Sequence, residues 1–502
     1  MTSTELGVTD RLYYPRATID TLPDNVLLET FEFYLGKDDP NRIGLDNNYD
    51  GWQTLVHVCG RWRCIVFASP RRLDLKLYYP VHIRRSVKSK TLDIWPVLPI
   101  VIHAVYMRSK EDVANVIPAL RQHSRVCKLE ICFFRDREYS LLKEFAEMDE
   151  PFPALTSLNL FSVEPKSQSV PVLPDSFLGG SAPRLRTLRL SGIPYPSIGK
   201  LLSSTTNLVR LTLWRIPHSG YIAPETVVPC LSSLARLESL TLEFQYPRSR
   251  VHRASRHPPP LTRVVIPNLV YLFFRGDIEY SEDILSQIET PMLNESHFCF
   301  FNRLVFDTPL LGHFIRRTEI FMTTHRARIE FSSRDVEVTL LGQNERVNND
   351  RKTLLLRIHC KPLDWQLSAV AQVLNSSFSS LPTLESLDIT APRRSQQGEI
   401  EVIQWLDFLH PFTFVNEITL ETKDSVRHIA PALQELAGER AIEVLPSLQN
   451  ILLRTYRRQP SGPAKEAIEQ FIAARQLYGH PVTVHYQDTK KSRVVRWKVS
   501  DR

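Results

Sequence analysis

Apolar positions follow two rhythms along this chain. Near the start the interval is helical. Leu27, Phe31 and Leu35 recur every four residues within 21–35, with Val26, Phe33 and Tyr34 beside them. Within 52–67, Leu55, Val58, Cys59, Trp62, Ile65 and Val66 fall on one stripe at steps of three and four. Such spacing predicts two amphipathic helices. Pro23 suits the first helical position of the earlier one, and Asp24 and Glu29 favour its positive end. After "SPRR", the segment "LDLKLYY" at 73–79 alternates as a half-buried strand does.

From about residue 90 the rhythm changes to a repeated frame, with leucines or their equivalents at i, i+3 and i+5. It occurs in "FPALTSLNL" (152–160), "APRLRTLRL" (182–190), "TNLVRLTL" (206–213), "ARLESLTL" (235–242) and "PNLVYLFF" (267–274). "RVCKLEI" (125–131) precedes these copies, and "PTLESLDI" (382–389), "TFVNEITL" (413–420) and "PSLQNILL" (446–453) follow them. The first leucines, at 155, 185, 208, 237 and 269, are 30, 23, 29 and 32 apart. That is close to the leucine-rich-repeat period of roughly 20–29 residues. Helical stretches alternate with the frames at 111–122, 140–148, 226–235, 281–289 and 364–375, with Ser281 and Asp364 placed as N-caps. Between 290 and 360 the frame blurs into strand-like runs such as "VEVTLL" and "TLLLRIHC".

The expected fold class is α/β: a short helical N-terminal module, then a right-handed leucine-rich-repeat solenoid with parallel strands on its concave face. The boundaries are a flexible N-terminus at 1–19, the helical module at 20–80 with a loop insertion at 36–51, the solenoid at 81–486 and a loose basic tail at 487–502. A last capped helix is expected at 461–479, followed by the strand-like "PVTVHY".

Charge and cysteine usage narrow the function classes. Lys and Arg number 62 against 55 acidic residues, a formal charge of +7 in 502 residues. That surplus is too thin for a nucleic-acid footprint. Seven cysteines without CxxC spacing point to reduced thiols rather than disulfides or zinc. The longest apolar run, at 95–106, is too short for a bilayer, which needs roughly 20 residues. An intracellular protein, cytoplasmic and/or nuclear, is expected, with no membrane partner.

One motif suggests metal chemistry. Asp46, Asn48 and Asp50 alternate and Gly51 follows, as at the opening of a calcium loop. The twelfth loop position, however, is His57, a nitrogen donor poorly matched to a hard cation, and Gly36, Pro40 and Gly44 break the incoming helix. A loop turned by Asp and Asn side chains is expected instead, without metal. No phosphate loop, GxSxG or HExxH occurs in a suitable context, so neither a cofactor nor catalysis is expected. The basic cluster Arg248, Arg250, His252, Arg253, Arg256 and His257 reads as a loop between repeats.

The first eighty residues also carry a resemblance. Leu22-Pro23, then Val26-Leu27-Leu28-Glu29 and Phe31, then Val58-Cys59 and Trp62, resemble an F-box, with an insertion at 36–51 longer than that family carries. "SPRRLDLKLYY" and "KTLDIWPVLPIVI" resemble the region after the F-box in fungal F-box proteins with leucine-rich tails. The resemblance implies docking on the Skp-type adaptor of cullin–RING ubiquitin ligases, through Leu22, Pro23, Val26, Leu27, Phe31, Val58, Cys59 and Trp62. The chain would then be a non-catalytic, substrate-recognition subunit of a ubiquitin ligase, with the solenoid binding a protein target.

Positions that alternate outward between the frame leucines are the candidates for target contact: Arg186, Arg189, Arg210, Thr212, Trp214 and Glu243, with Glu238 and Thr241. The alternative is a leucine-rich binding scaffold whose N-terminal helices merely cap the solenoid. In that reading a basic surface could take phosphate or nucleic acid.

Overall fold

The structure, a computed structural model, describes residues 18–35, 51–80, 98–105, 107, 109–135, 138–163, 170–247, 262–303, 305–344, 349–360, 362–378, 383–391, 402–436, 443–454, 462–488 and 493–496. The calcium-like loop at 36–50, the basic cluster at 248–257 and the expected flexible residues 1–17 lie outside them.

The chain is a mixed α/β protein built on one large, mostly parallel sheet, 17-stranded among the described residues. Leu77–Pro80, Ile100–Ala104, Val126–Phe133, Ser157–Ser162, Thr187–Ser191, Arg210–Ile216, Ser239–Phe244, Tyr271–Gly276 and Glu295–Phe300 lie side by side in chain order, each parallel to the next. Helices such as Lys110–Leu120, Tyr139–Ala146, Ile198–Ser204, Pro224–Ser232 and Ile278–Gln287 connect them. Parallel strands need such crossovers, because a tight turn reverses the chain.

The leucine frames explain the register. Leu129, Leu158, Leu188, Leu211, Leu240 and Leu272 stand opposite one another across six strands, and Ile131, Leu160, Leu190, Leu213, Leu242 and Phe274 form a second row. All are 0–4% exposed. Removing each leucine from water contributes about 2 kcal/mol. A slip by one residue would turn both rows to solvent, so the pairing has a strong reason to hold.

The blurred region at 290–360 is a reversal of order. Thr324–Phe331, Asp335–Asn344 and Asn349–His359 form an antiparallel meander. The last of these sits beside Glu295–Phe300 and the first beside Ser386–Thr390, both parallel. The chain therefore enters the meander at its far side and doubles back to fill the gap. Order resumes with Ser386–Thr390, Glu417–Leu420, Asn450–Leu453 and Thr483–Asp488.

Several local expectations change. The stripe at 52–67 is two helices, Gly51–Val58 and Gly60–Ala68, because Cys59 is extended and its Sγ accepts the backbone N–H of Trp62 at 3.4 Å. Ser281 is not an N-cap: it lies inside Ile278–Gln287, whose cap position is Asp277, and its hydroxyl donates back to Ile278 O at 2.8 Å. Asp364 likewise lies inside Leu363–Val373, which starts after Pro362. The last helix runs Pro463–Leu477. Within the expected loose tail, Arg493–Arg496 pairs antiparallel with Thr483–Asp488, which gives the final parallel strand a partner on its outer edge.

Candidate functional site

At the N-terminal end, Asp24–Leu35 meets Gly60–Ala68. Arg61 donates to Asp24 Oδ1 at 3.0 Å through Nε and to Leu22 O at 2.6 Å through Nη2, clamping the start of one helix against the other. The Phe31 and Trp62 rings pack with centroids 4.7 Å apart. Trp52 is buried and its indole donates to Lys76 O at 2.9 Å, joining the helices to the first strand.

This packing divides the residues expected to dock on an adaptor. Leu27 and Phe31, 0% and 1% exposed, belong to the continuous hydrophobic core. The every-four-residues stripe that marked them is the inward face of their helix, so in this conformation they support a surface without lining it. Leu22, Cys59 and Trp62 are half-buried, whereas Pro23, Val26 and Val58 are exposed. Phe33 and Tyr34, which flank that stripe, are 93% and 57% exposed. Singly exposed apolar side chains are ordinary on a protein surface, and it is their adjacency, as at Phe33 and Tyr34, that makes a patch.

The second candidate region is the sheet face that the helices leave open. Burial alternates along each strand, as in Ser157–Ser162 and Tyr271–Gly276, so every other side chain points to this face. Its cross-strand neighbours follow from the register. Arg189 stands between Asn159 and Thr212, Thr212 between Arg189 and Thr241, and Arg210 between Thr187 and Ser239. Trp214 lies opposite Ser191 and is half-exposed. The structure thus brings Arg189, Arg210, Thr212 and Trp214 onto two adjacent strands, with the exposed Arg186 just before the first of them.

Glu243 occupies a different environment from the other candidates. It is 5% exposed, and its carboxylate accepts from Arg275 Nη1 at 3.1 Å and from the Trp214 indole. Burial pushes its pKa up, with the guanidinium of Arg275 and the indole hydrogen bond opposing that shift. Glu243 therefore positions Trp214 more than it presents a charge. Arg215, next to that indole, takes φ +51°, and the register between Arg210–Ile216 and Ser239–Phe244 shifts there. The bulge falls just after Leu213 on that side, so Trp214 has no regular partner on Ser239–Phe244.

Arg275 escaped the sequence reasoning. Its signal was present, because the residue just after each frame points outward: Phe161, Ser191, Trp214, Glu243 and Arg275 follow Leu160, Leu190, Leu213, Leu242 and Phe274. Farther along the face, charges are matched. Arg357 Nε lies 3.1 Å from Glu337, Arg454 2.7 Å from Glu421, and Arg326 grips Asp388 with two bonds at 2.9 and 3.0 Å. Neither the family models nor the curated proteins compared with the chain produced a match.

Proposed function

We propose that this protein is a substrate-recognition subunit of a Skp–cullin–F-box type ubiquitin ligase. The N-terminal helices dock on the Skp-type adaptor, and the sheet is the spine of a leucine-rich solenoid whose open face holds a protein target. Recognition is then a matter of proximity: a tethered target meets the ligase at high effective concentration. No step of the transfer chemistry falls to this chain.

The observation that carries the reading is the exposure of Phe33, Tyr34, Val26 and Val58 on helices that resemble an F-box. The contact differs from the one the motif alone implies, resting on Pro23, Val26, Phe33 and Val58 with Leu22, Cys59 and Trp62 at its edge. Phe33→Asp combined with Val58→Asp in the full chain should abolish co-purification with a Skp-type adaptor and leave the circular dichroism spectrum unchanged. Undiminished co-purification would refute the docking.

A second reading has its own support. Leu27, Phe31 and Val66 join the same core that runs through the repeats, as they would if the helices served only to cap a binding scaffold. An adaptor that never binds the wild-type chain would favour that alternative.

A further inference from the structure

Elsewhere on the open face arginines meet carboxylates, but on two neighbouring strands they do not. No hydrogen bond or ion pair within the described residues engages the guanidinium groups of Arg186, Arg189 or Arg210, whereas Arg275, Arg326, Arg328, Arg357 and Arg454 each have an acidic partner. Arg189 sits on the strand Thr187–Ser191 and Arg210 on Arg210–Ile216, with Arg186 just ahead of the first. Arg210 N–H donates to Arg186 O at 3.0 Å and strands lie about 4.8 Å apart, so the three side chains leave the backbone within a small area. Burial lowers the pKa of Arg189 and the charge of Arg210 lowers it further, while the carboxylate of Glu130 opposes the shift. An arriving anion offsets the repulsion between Arg189 and Arg210.

The island is bounded on both sides. Two strands before Arg189 in the same row stands Glu130, which takes 3.0 Å and 3.2 Å contacts from Asn159 and His103. On the other side, Glu238, just before the strand Ser239–Phe244, is exposed and Glu243 on that strand is buried in its own pair. A nucleic-acid strand carries a charge every 3.4 Å or so and would run onto these carboxylates. A short acidic segment would not.

An aromatic row parallels the arginines. Phe134 and Phe161, with ring centroids 5.9 Å apart, and the half-exposed Trp214 lie toward the C-terminal ends of the strands, while the arginines lie toward their beginnings. Arginine and tryptophan are the residue types that most often carry the energy of a protein interface.

We propose that this island binds an acidic, extended segment of a protein partner, its carboxylates on Arg186, Arg189 and Arg210 and an apolar side chain against Trp214. The inference rests on the reading of the open face as the target surface, and it names the chemistry of that target. Bidentate guanidinium–carboxylate bonds supply the selectivity, and the indole held by Glu243 supplies a rigid apolar anchor.

The test is selection from a random dodecapeptide library on the immobilised full chain at physiological salt. Retained peptides should be enriched in Asp and Glu with an interleaved apolar residue, and their affinity should fall about tenfold or more for Arg189→Gln with Arg210→Gln. Arg186→Glu with Arg210→Glu, both at exposed positions, should remove the acidic preference while the circular dichroism spectrum stays unchanged. Peptides that show no acidic bias yet depend on Trp214 would overturn the acidic-ligand inference and leave the target surface standing. Retention indifferent to both the arginines and Trp214→Ala would overturn both. Arginine-dependent preference for a single-stranded oligonucleotide, or for phosphorylated peptides alone, would also overturn the proposal.

Discussion

Arg275 and Glu243 lie on adjacent parallel strands with Nη1 3.1 Å from Oε1, and the other oxygen of that buried carboxylate accepts the indole of Trp214. One acid thus holds two side chains from the strands on either side. Its removal by Glu243→Ala leaves a half-buried guanidinium without its partner. The expected cost is about 1–2 kcal/mol in urea unfolding, less than for a fully enclosed pair because Arg275 keeps some contact with water. The tryptophan emission of the variant should also shift to longer wavelength as the indole loses its anchor.

The same carboxylate gives a pH dependence with a definite sign. Burial raises the folded-state pKa of Glu243 above its unfolded value, so the folded chain binds the proton more tightly across the interval between the two. Its stabilising contribution is therefore present below the unfolded pKa and declines as pH rises through the folded one. As pH rises above the ordinary glutamate range, the stability of wild type minus that of Glu243→Gln should fall. A difference that rises with pH would contradict the assignment.

Asp388 is fully buried, held by two bonds from Arg326, with Arg328 Nε at 3.5 Å. Asp388→Asn keeps the shape and removes the charge that two guanidinium groups face. A loss of about 3 kcal/mol in chemical denaturation is expected. Arg328→Gln, at a partly exposed and more distant partner, should cost much less.

The leucine frames were legible because burial imposes a short local period, and that period fixed both strand positions and register. The meander at 324–359 was not, because strand order depends on which edge is free when a segment arrives, and no local pattern encodes it. The site divides in the same way. Outward positions such as Arg189 and Trp214 followed from alternation, yet Glu243 and Trp214 are 29 residues apart, and Arg326 and Asp388 are 62 apart. Their pairing required the register. Leu27 and Phe31 show the limit of periodicity: a regular apolar stripe marks a face that is buried, and it does not say by what.

Glycine substitutions separate a backbone requirement from mere presence. Gly192 has φ +66°, and a Cβ there would lie 2.6 Å from Ser162 O. Gly192→Ala should destabilise by about 1–3 kcal/mol. Gly60, with nothing within 4 Å of its would-be Cβ at the start of its helix, should accept alanine with no loss. Thermal melts of the two variants check the contrast.

Thiol labelling reads the core directly. Burial pushes Cys132 and Cys360 up to about 12 and Cys299 to about 11, with Glu130 and Glu138 adding to the shift at Cys132. Iodoacetamide at neutral pH should therefore modify the exposed Cys64 first and leave these three untouched until the chain unfolds, as mass spectrometry of peptides would report.

Hydrogen exchange of the full chain, alone and with a purified Skp-type adaptor, tests the docking claim most directly. Added protection should concentrate on Asp24–Leu35 and on the two helices Gly51–Val58 and Gly60–Ala68, leaving the strands Thr187–Ser191 and Arg210–Ile216 unchanged. No added protection at those helices, or protection confined to the sheet face, would contradict the account.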